Sequence, residues 1–161
     1  VHSGKMPKEK KIMSFSMLLN LVETSNADNK EVLWKFAKKY KKDISEEQYP
    51  IFDSLIEYAI RYFKDIIQKQ KKYKKPNSLE KTALQALVSN LERCNDEMSP
   101  EDIQSIIYST GKDNGYKDNL RDWFKLIYEV VFGAENGPRM GFFISFFGVN
   151  ETKELIKNKI K

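Results

Sequence analysis

Cysteine and histidine each occur once in this chain, so several kinds of chemistry lack residues from the outset. Cys94, alone, cannot close an intrachain disulfide or gather a thiolate cluster for zinc, which favours a reducing, cytosolic setting. His2 stands in a polar segment without the partners that an acid–base pair or a metal site needs. No Walker-type phosphate loop, nucleophile elbow or paired CxxC is present. No apolar run approaches the roughly 18 residues of a membrane span, and no signal-peptide pattern opens the sequence. The expectation is therefore a cytoplasmic domain that works by binding, with no catalytic residue, metal or cofactor of its own and no membrane partner. The first residue is Val1 rather than Met, as in a processed or excised piece.

The chain is instead rich in lysine and in large apolar side chains. Its 161 residues are 40% hydrophobic and include ten Phe and eight Tyr. A chain of this size typically buries about 68–70% of its unfolded surface, so neither disulfide nor metal is needed to hold it. The net charge of +5 is unevenly spread. Val1 to Lys75 carries 17 Lys and Arg against 10 Asp and Glu, a net of +7, whereas Pro76 to Lys161 carries 11 against 13, a net of −2. Clustered lysines suit a polyanion, because they release counterions when they neutralise phosphates. A lysine-biased solvated surface would look the same, with 24 Lys against 4 Arg. Charge alone does not choose between them.

Spacing predicts an all-α fold of about eight helices. Residues 1–13 read as a linker or tail, with Gly4 and Pro7 and no periodicity. Residues 14–75 form a basic helical lobe and 76–161 a second one, the two making a single domain. Ser14 can cap a first helix through Leu18, Leu21 and Val22. Asp28 with Glu31 reads as a capping-box variant ahead of Val32, Leu33, Phe36 and Tyr40. Pro50 suits the first turn of the longest helix, expected over Ile51–Tyr73, where Phe52, Leu55, Ile56, Ala59, Ile60 and Phe63 recur at three- and four-residue steps. Lys75-Pro76 stops it. Asn77 with Glu80, Ser99-Pro100 and Asn119 each mark a further helix start. Gly115 and Gly133 read as terminators. A Gly137-Pro138 break precedes the apolar stretch Phe142–Phe147, and Asn150 can cap the last helix.

Three groups of residues are candidates for contact with a partner. The lysine-rich turn Lys71, Lys72, Lys74 and Lys75, with Tyr73 among them, could follow a phosphate backbone, and Lys38 and Lys39 could extend that surface. Basic strips interleaved with aromatics suit single-stranded loops, whose bases stack on rings. The bland alternative is a solvated helix end. Arg121, Trp123 and Lys125 lie together at a helix start, although Trp123 also suits the core. Arg139, in the first turn after Gly137-Pro138, would sit beside exposed backbone amides, a favourable place for an anion. Asp53, Glu57 and Asp65 read as a solvated face with intrahelical pairs.

These segments resemble a known family. The pattern Leu120-Arg121-Asp122-Trp123-Phe124-Lys125, Ile127-Tyr128-Glu129-Val130-Val131-Phe132-Gly133 and Gly137-Pro138-Arg139-Met140-Gly141 is similar to the C-terminal end of class I lysyl-tRNA synthetases. Ser14-Phe15-Ser16-Met17-Leu18-Leu19-Asn20-Leu21, the Asn26-Ala27-Asp28 corner, Val32-Leu33-Trp34 and Phe52 to Tyr62 resemble the start of the same region, in the same order. The resemblance implies a helical-cage anticodon-binding domain whose partners are the tRNA(Lys) anticodon stem-loop and the parent's N-terminal catalytic domain, where ATP and lysine would bind. Class I cores use a HIGH-type motif and a KMSKS-type loop. Lys5-Met6-Pro7-Lys8-Glu9 departs from the latter at Pro7, and no HIGH-like motif exists here, so no adenylate chemistry is expected of this chain. No individual anticodon contact carries over from the family. A different role, a helical interaction domain whose apolar last helices dock a protein, stands as the alternative.

Overall fold

The computed structural model describes residues 11–161. His2, the Lys5–Glu9 motif and most of the expected tail lie outside the described residues. Eight α-helices follow one another, and no strand occurs among the described residues. They are α1 (Phe15–Ser25), α2 (Lys30–Tyr40), α3 (Pro50–Tyr62), α4 (Ser78–Leu91), α5 (Pro100–Gly111), α6 (Leu120–Val131), α7 (Met140–Phe147) and α8 (Val149–Lys159).

Local chemistry sets most of the starts. Ser14 Oγ accepts from the Met17 amide, Asn77 and Glu80 close a reciprocal capping box, and Ser99 Oγ accepts from the Asp102 amide ahead of Pro100. Each satisfies a backbone donor that a helix end leaves bare. Two caps differ from expectation: Asn150, expected to cap the last helix, lies inside α8, whose N-cap is Gly148 with no side-chain hydrogen bond. Asn29, not Asp28, caps α2, accepting from the Glu31 amide. Asp28 instead ion-pairs with Lys64 of the helix following α3 at 2.8 Å.

The longest helix is also shorter than its periodicity suggests. After Tyr62 it widens into a π-turn (Phe63–Ile67), tightens into a 3₁₀ turn (Gln68–Gln70), and gives way at Lys71 to extended backbone. The expected lysine-rich helical turn is therefore an extended strap, residues 71–77. Its backbone bonds elsewhere: the Lys72 amide donates to the Gly133 carbonyl and the Lys74 amide to the Glu129 carbonyl. Tertiary partners at the end of α6 replace the helical ladder there.

Buried side chains from both halves of the chain form one cluster. At its centre are Leu18, Leu21, Leu33, Ile56, Leu84, Leu87, Ile103, Ile107, Trp123, Phe132 and Phe143. The segment before α1, read as tail, contributes too, since Ile12 and Met13 are buried. α5 lies along α7 at close range. A Cβ on Gly141 would fall 2.1 Å from the Pro100 carbonyl oxygen, so only glycine permits that approach. On the polar side of the core, Trp34 Nε1 donates to Asp53 Oδ1 at 2.8 Å and Lys30 pairs with Asp53 Oδ2 at 3.1 Å. Burial pushes the Asp53 carboxyl up, but these two donors outweigh it and hold it below the usual carboxylate range. Asp53 thus bridges α2 and α3 rather than lining a solvated face.

Candidate nucleic-acid interface

The strap explains why several of the predicted cations are not free. Glu23 on α1 is a nearly buried carboxylate, its side chain 6% exposed, and it gathers what surrounds it. Lys71 Nζ lies 2.9 Å from Glu23 Oε1, as an ion pair rather than an aligned hydrogen bond, and donates to the Phe132 carbonyl at 2.7 Å. The Tyr73 hydroxyl donates to Glu23 Oε2. Burial, then that hydrogen bond, push the phenol well above its ordinary value. Lys159 of α8 lies 3.7 Å from the centre of the Tyr73 ring, a cation–π contact that covers one face. Lys74 donates to Glu80 at 2.8 Å, which raises its ammonium pKa. Lys71, Tyr73 and Lys74 thus tie the strap to α1, α4, α6 and α8; Lys71 is withdrawn from solvent, whereas Tyr73 and Lys74 stay exposed at the surface. Lys72 and Lys75 remain exposed with no ion-pair partner among the described residues.

Trp123 is corrected more sharply. It is wholly buried, donates its indole N–H to the Ile107 carbonyl at 2.9 Å and packs beside Tyr116. No base can reach it. Its neighbours Arg121 and Lys125 are exposed on the outer face of α6, Lys125 within 3.7 Å of a largely exposed Glu135. A pair that open is worth little, so Lys125 can exchange it for a phosphate.

The expected amide cradle at the start of α7 does not form as read. Arg139 precedes the helix in extended backbone rather than standing in its first turn, and the Gly141 amide is buried and donates to Gln104 Oε1 at 2.6 Å. α7 itself is core, with Met140, Phe143, Ile144, Phe146 and Phe147 buried. That corrects the idea that the apolar last helices form a docking face. The exposed apolar side chains include Leu55 and Tyr58 on α3 and Ile66 just after it.

What the fold does assemble is a cleft of about 450 Å³ between the end of α2, the segment 11–16 and the start of α7. Ile12, Met13, Met17 and Phe146 supply its apolar lining, with Tyr40, Phe142, Arg139 and Lys11 nearer solvent. Tyr40 is half-exposed and packs on Phe146, ring centres 4.6 Å apart. The Arg139 guanidinium lies 5.8 Å from the centre of the Phe142 ring. No acidic side chain is among the described residues lining it. Lys38 and Lys39 stand beside Tyr40 on α2, paired loosely with Glu46 and Asp96 at 3.3 and 3.6 Å. The fold therefore brings Arg139 to the Lys38–Tyr40 end of α2 and leaves Arg121 and Lys125 outside the cleft. Sequence reading missed Lys11, Phe142 and Phe146 as lining. Only the basic flanks of Tyr40 hinted at it.

A second cleft, about 390 Å³, adjoins the first at Ser16 and is lined by Asn20, Glu23, Gln70, Lys71 and Asn136 among others. Among the described residues no cluster of three or more His, Cys, Asp or Glu could hold a metal ion, and no helix is long and apolar enough to cross a membrane. Cys94 is buried, and burial raises its thiol pKa, which disfavours the reactive thiolate.

No protein-family model matches the chain, and no solved structure matches it. Curated relatives do. The chain is 39% identical over 156 residues to a lysine–tRNA ligase of Roseobacter denitrificans, covering 97% of this chain and 29% of that protein. It is 38% identical over 161 residues to the lysine–tRNA ligase of Rickettsia felis, covering 99% of this chain and 30% of that protein. The lysine–tRNA ligase of Rickettsia bellii is 37% identical over the same length. The chain thus spans about 30% of the length of the curated relatives it matches.

Proposed function

We propose that this chain is the tRNA anticodon-binding domain of a class I lysine–tRNA ligase, acting in the cytoplasm as the RNA-holding part of a longer enzyme. The observation that carries the reading is the similarity to proteins named lysine–tRNA ligase, which runs through 97–99% of this chain yet about 30% of theirs. The whole enzyme would join lysine to tRNA(Lys) at the expense of ATP. ATP and lysine would be held by a catalytic domain outside this chain, against which the helical domain would rest.

The basic, ring-lined cleft supports the binding half of this reading. Positive side chains position a nucleic acid through its phosphates, while rings and polar groups meet unstacked bases. Lys38, Lys39, Lys72, Lys75, Arg121, Lys125 and Arg139 are exposed cations that can take the first role. Tyr40 and Phe142 are available for the second.

Titration of the chain with the lysine-tRNA anticodon stem-loop and a loop-scrambled control tests this. The stem-loop should bind more tightly than the control. If about four phosphates are neutralised, affinity should fall on the order of 50-fold between 50 and 200 mM salt. Equal binding of the two hairpins, or no binding at low salt, overturns the reading.

A further inference from the structure

The third helix carries more apolar surface than its place in the core uses. Phe52, Ile56, Ala59 and Ile60 of α3 point inward and are buried. Leu55, Tyr58 and Tyr62 form a second stripe beside them at three- and four-residue spacing, and Ile66 continues it past the end of the helix. Leu55, Tyr58 and Ile66 are exposed and Tyr62 is partly so. By the α-helical period the two stripes together span about 200° of the helix circumference, against about 100° for an ordinary surface helix. Phe15, the first residue of α1, closes one side of the patch. Its ring centre lies 5.6 Å from that of Tyr58 and 6.1 Å from that of Tyr62, and the two tyrosine rings stack at 5.9 Å. Ser54 and Arg61, both exposed, border the stripe on the polar side of α3, as polar groups rim the apolar centre of an interface. Leu55 and Ile66 offer nothing to a phosphate. Apolar side chains gathered in water in this way mark a surface that another protein covers.

The relatives indicate what covers it. The similarity takes in nearly all of this chain but 29% and 30% of the lysine–tRNA ligases of Roseobacter denitrificans and Rickettsia felis, so more than two thirds of such an enzyme folds outside it. The family resemblance places this chain at the C-terminal end, and the remainder then leads into it through residues 11–14. Ile12 and Met13 are buried, which fixes that approach, and the next residues run directly onto Phe15 of the patch. A domain joined this close meets the patch at the high effective concentration of a short tether, so a contact of modest area is enough. We propose that Leu55, Tyr58, Tyr62 and Ile66, with Phe15, are the surface on which the preceding, catalytic part of the longer enzyme packs through an apolar face of its own. The proposal rests on the reading of the chain as one part of a longer ligase, and it names the face by which the two parts meet.

The test compares this chain with the full-length ligase by hydroxyl-radical footprinting, which oxidises side chains according to their exposure. Tyr58 is 51% exposed in this chain. The centre of an interface packs as tightly as a protein interior, so in the full-length enzyme its rate should fall about 5-fold or more. Leu55, Tyr62 and Ile66 should slow with it, whereas Tyr108, exposed on α5, should not. Leu55→Glu combined with Tyr58→Glu places charge on the face. In this chain the double variant should melt close to the unsubstituted chain, because both side chains are exposed and such changes are near neutral. In the full-length enzyme it should return Tyr62 and Ile66 to the rates they show in the doubly substituted chain alone. If Tyr58 reacts equally fast in the chain and in the full-length enzyme, the catalytic part packs elsewhere and the proposal fails, while the kinship with lysine–tRNA ligases and the hairpin titration are unaffected. If the stripe is protected in this chain as its concentration rises, and sedimentation shows a dimer that the double variant dissolves, a second copy covers the face and the proposal also fails. Continued protection of Tyr62 and Ile66 in the doubly substituted full-length enzyme overturns it as well.

Discussion

Trp123→Ala should lower the stability of the domain by about 3–5 kcal/mol, the usual cost of deleting a large buried aromatic. For a domain of this length that corresponds to a fall in Tm on the order of 10 °C. Three contributions act together. The indole is fully buried, its N–H is bonded to the Ile107 carbonyl at 2.9 Å, and it lies so close to α5 that a Cβ on Gly111 would come within 2.4 Å of the ring. Removing it leaves a cavity between α5 and α6 and takes the indole's hydrogen bond from the Ile107 carbonyl, which lies within α5, and the glycine that admits the ring has nothing to close the gap. Trp123→Phe should cost less, because most of the volume remains and the main loss is one hydrogen bond, about 0.5–1.5 kcal/mol. Denaturant titration measures both. RNA affinity per folded molecule should be unchanged in either variant. A loss of about 5-fold or more from the phenylalanine variant at full folding would instead mean that the indole meets a base.

The second large effect is expected at Glu23. Glu23→Ala removes the carboxylate that holds Lys71 and Tyr73, leaving the Lys71 ammonium nearly buried, its side chain 12% exposed, with the Phe132 carbonyl as its remaining partner. Breaking such a buried pair from one side typically costs about 3–5 kcal/mol. The damage should be local first. Amide exchange at Lys72 and Lys74 should accelerate, since their bonds to Gly133 and Glu129 depend on the strap lying flat. The double variant Glu23→Leu, Lys71→Met should recover much of the lost stability, because no uncompensated charge remains. If the single variant matches the parent chain in stability and exchange, Glu23 does not anchor the strap.

These two sites also mark where the sequence was readable and where it was not. Helix starts were legible because a cap is a local device. Ser14, Asn77 with Glu80, and Ser99 ahead of Pro100 each bond an amide three residues away. The end of α3 was not, because the strap is fixed by residues distant in the chain. Tyr73 and Glu23 are fifty residues apart, and the Gly133 and Glu129 carbonyls that bind the strap belong to the end of α6. A run of lysines looks alike whether its ammonium groups face water or a carboxylate, so in sequence Lys71 and Lys74 are indistinguishable from Lys72 and Lys75. Trp123 beside Arg121 and Lys125 misled for a similar reason. On α6 the helical turn points the indole inward and the two cations outward. At the candidate site, Arg139 and the Lys38–Lys39 cluster were visible as charge, and their proximity was not. In sequence Phe142 belongs to one apolar stretch with Phe143 to Phe147, and only packing reveals that its ring is partly exposed beside Arg139.

The central claim is that this chain holds an RNA loop at the cleft between α2 and α7. The most direct measurement is an amide chemical-shift map of the labelled chain, taken as the lysine-tRNA anticodon stem-loop is added. The predicted result is saturable shifts at Lys11 to Ser16, at Lys38 to Tyr40 and around Arg139 to Phe142, with residues near buried Trp123 unmoved. Shifts confined to another face, such as Leu55 and Tyr58 on α3, or no shifts at low salt, would contradict it.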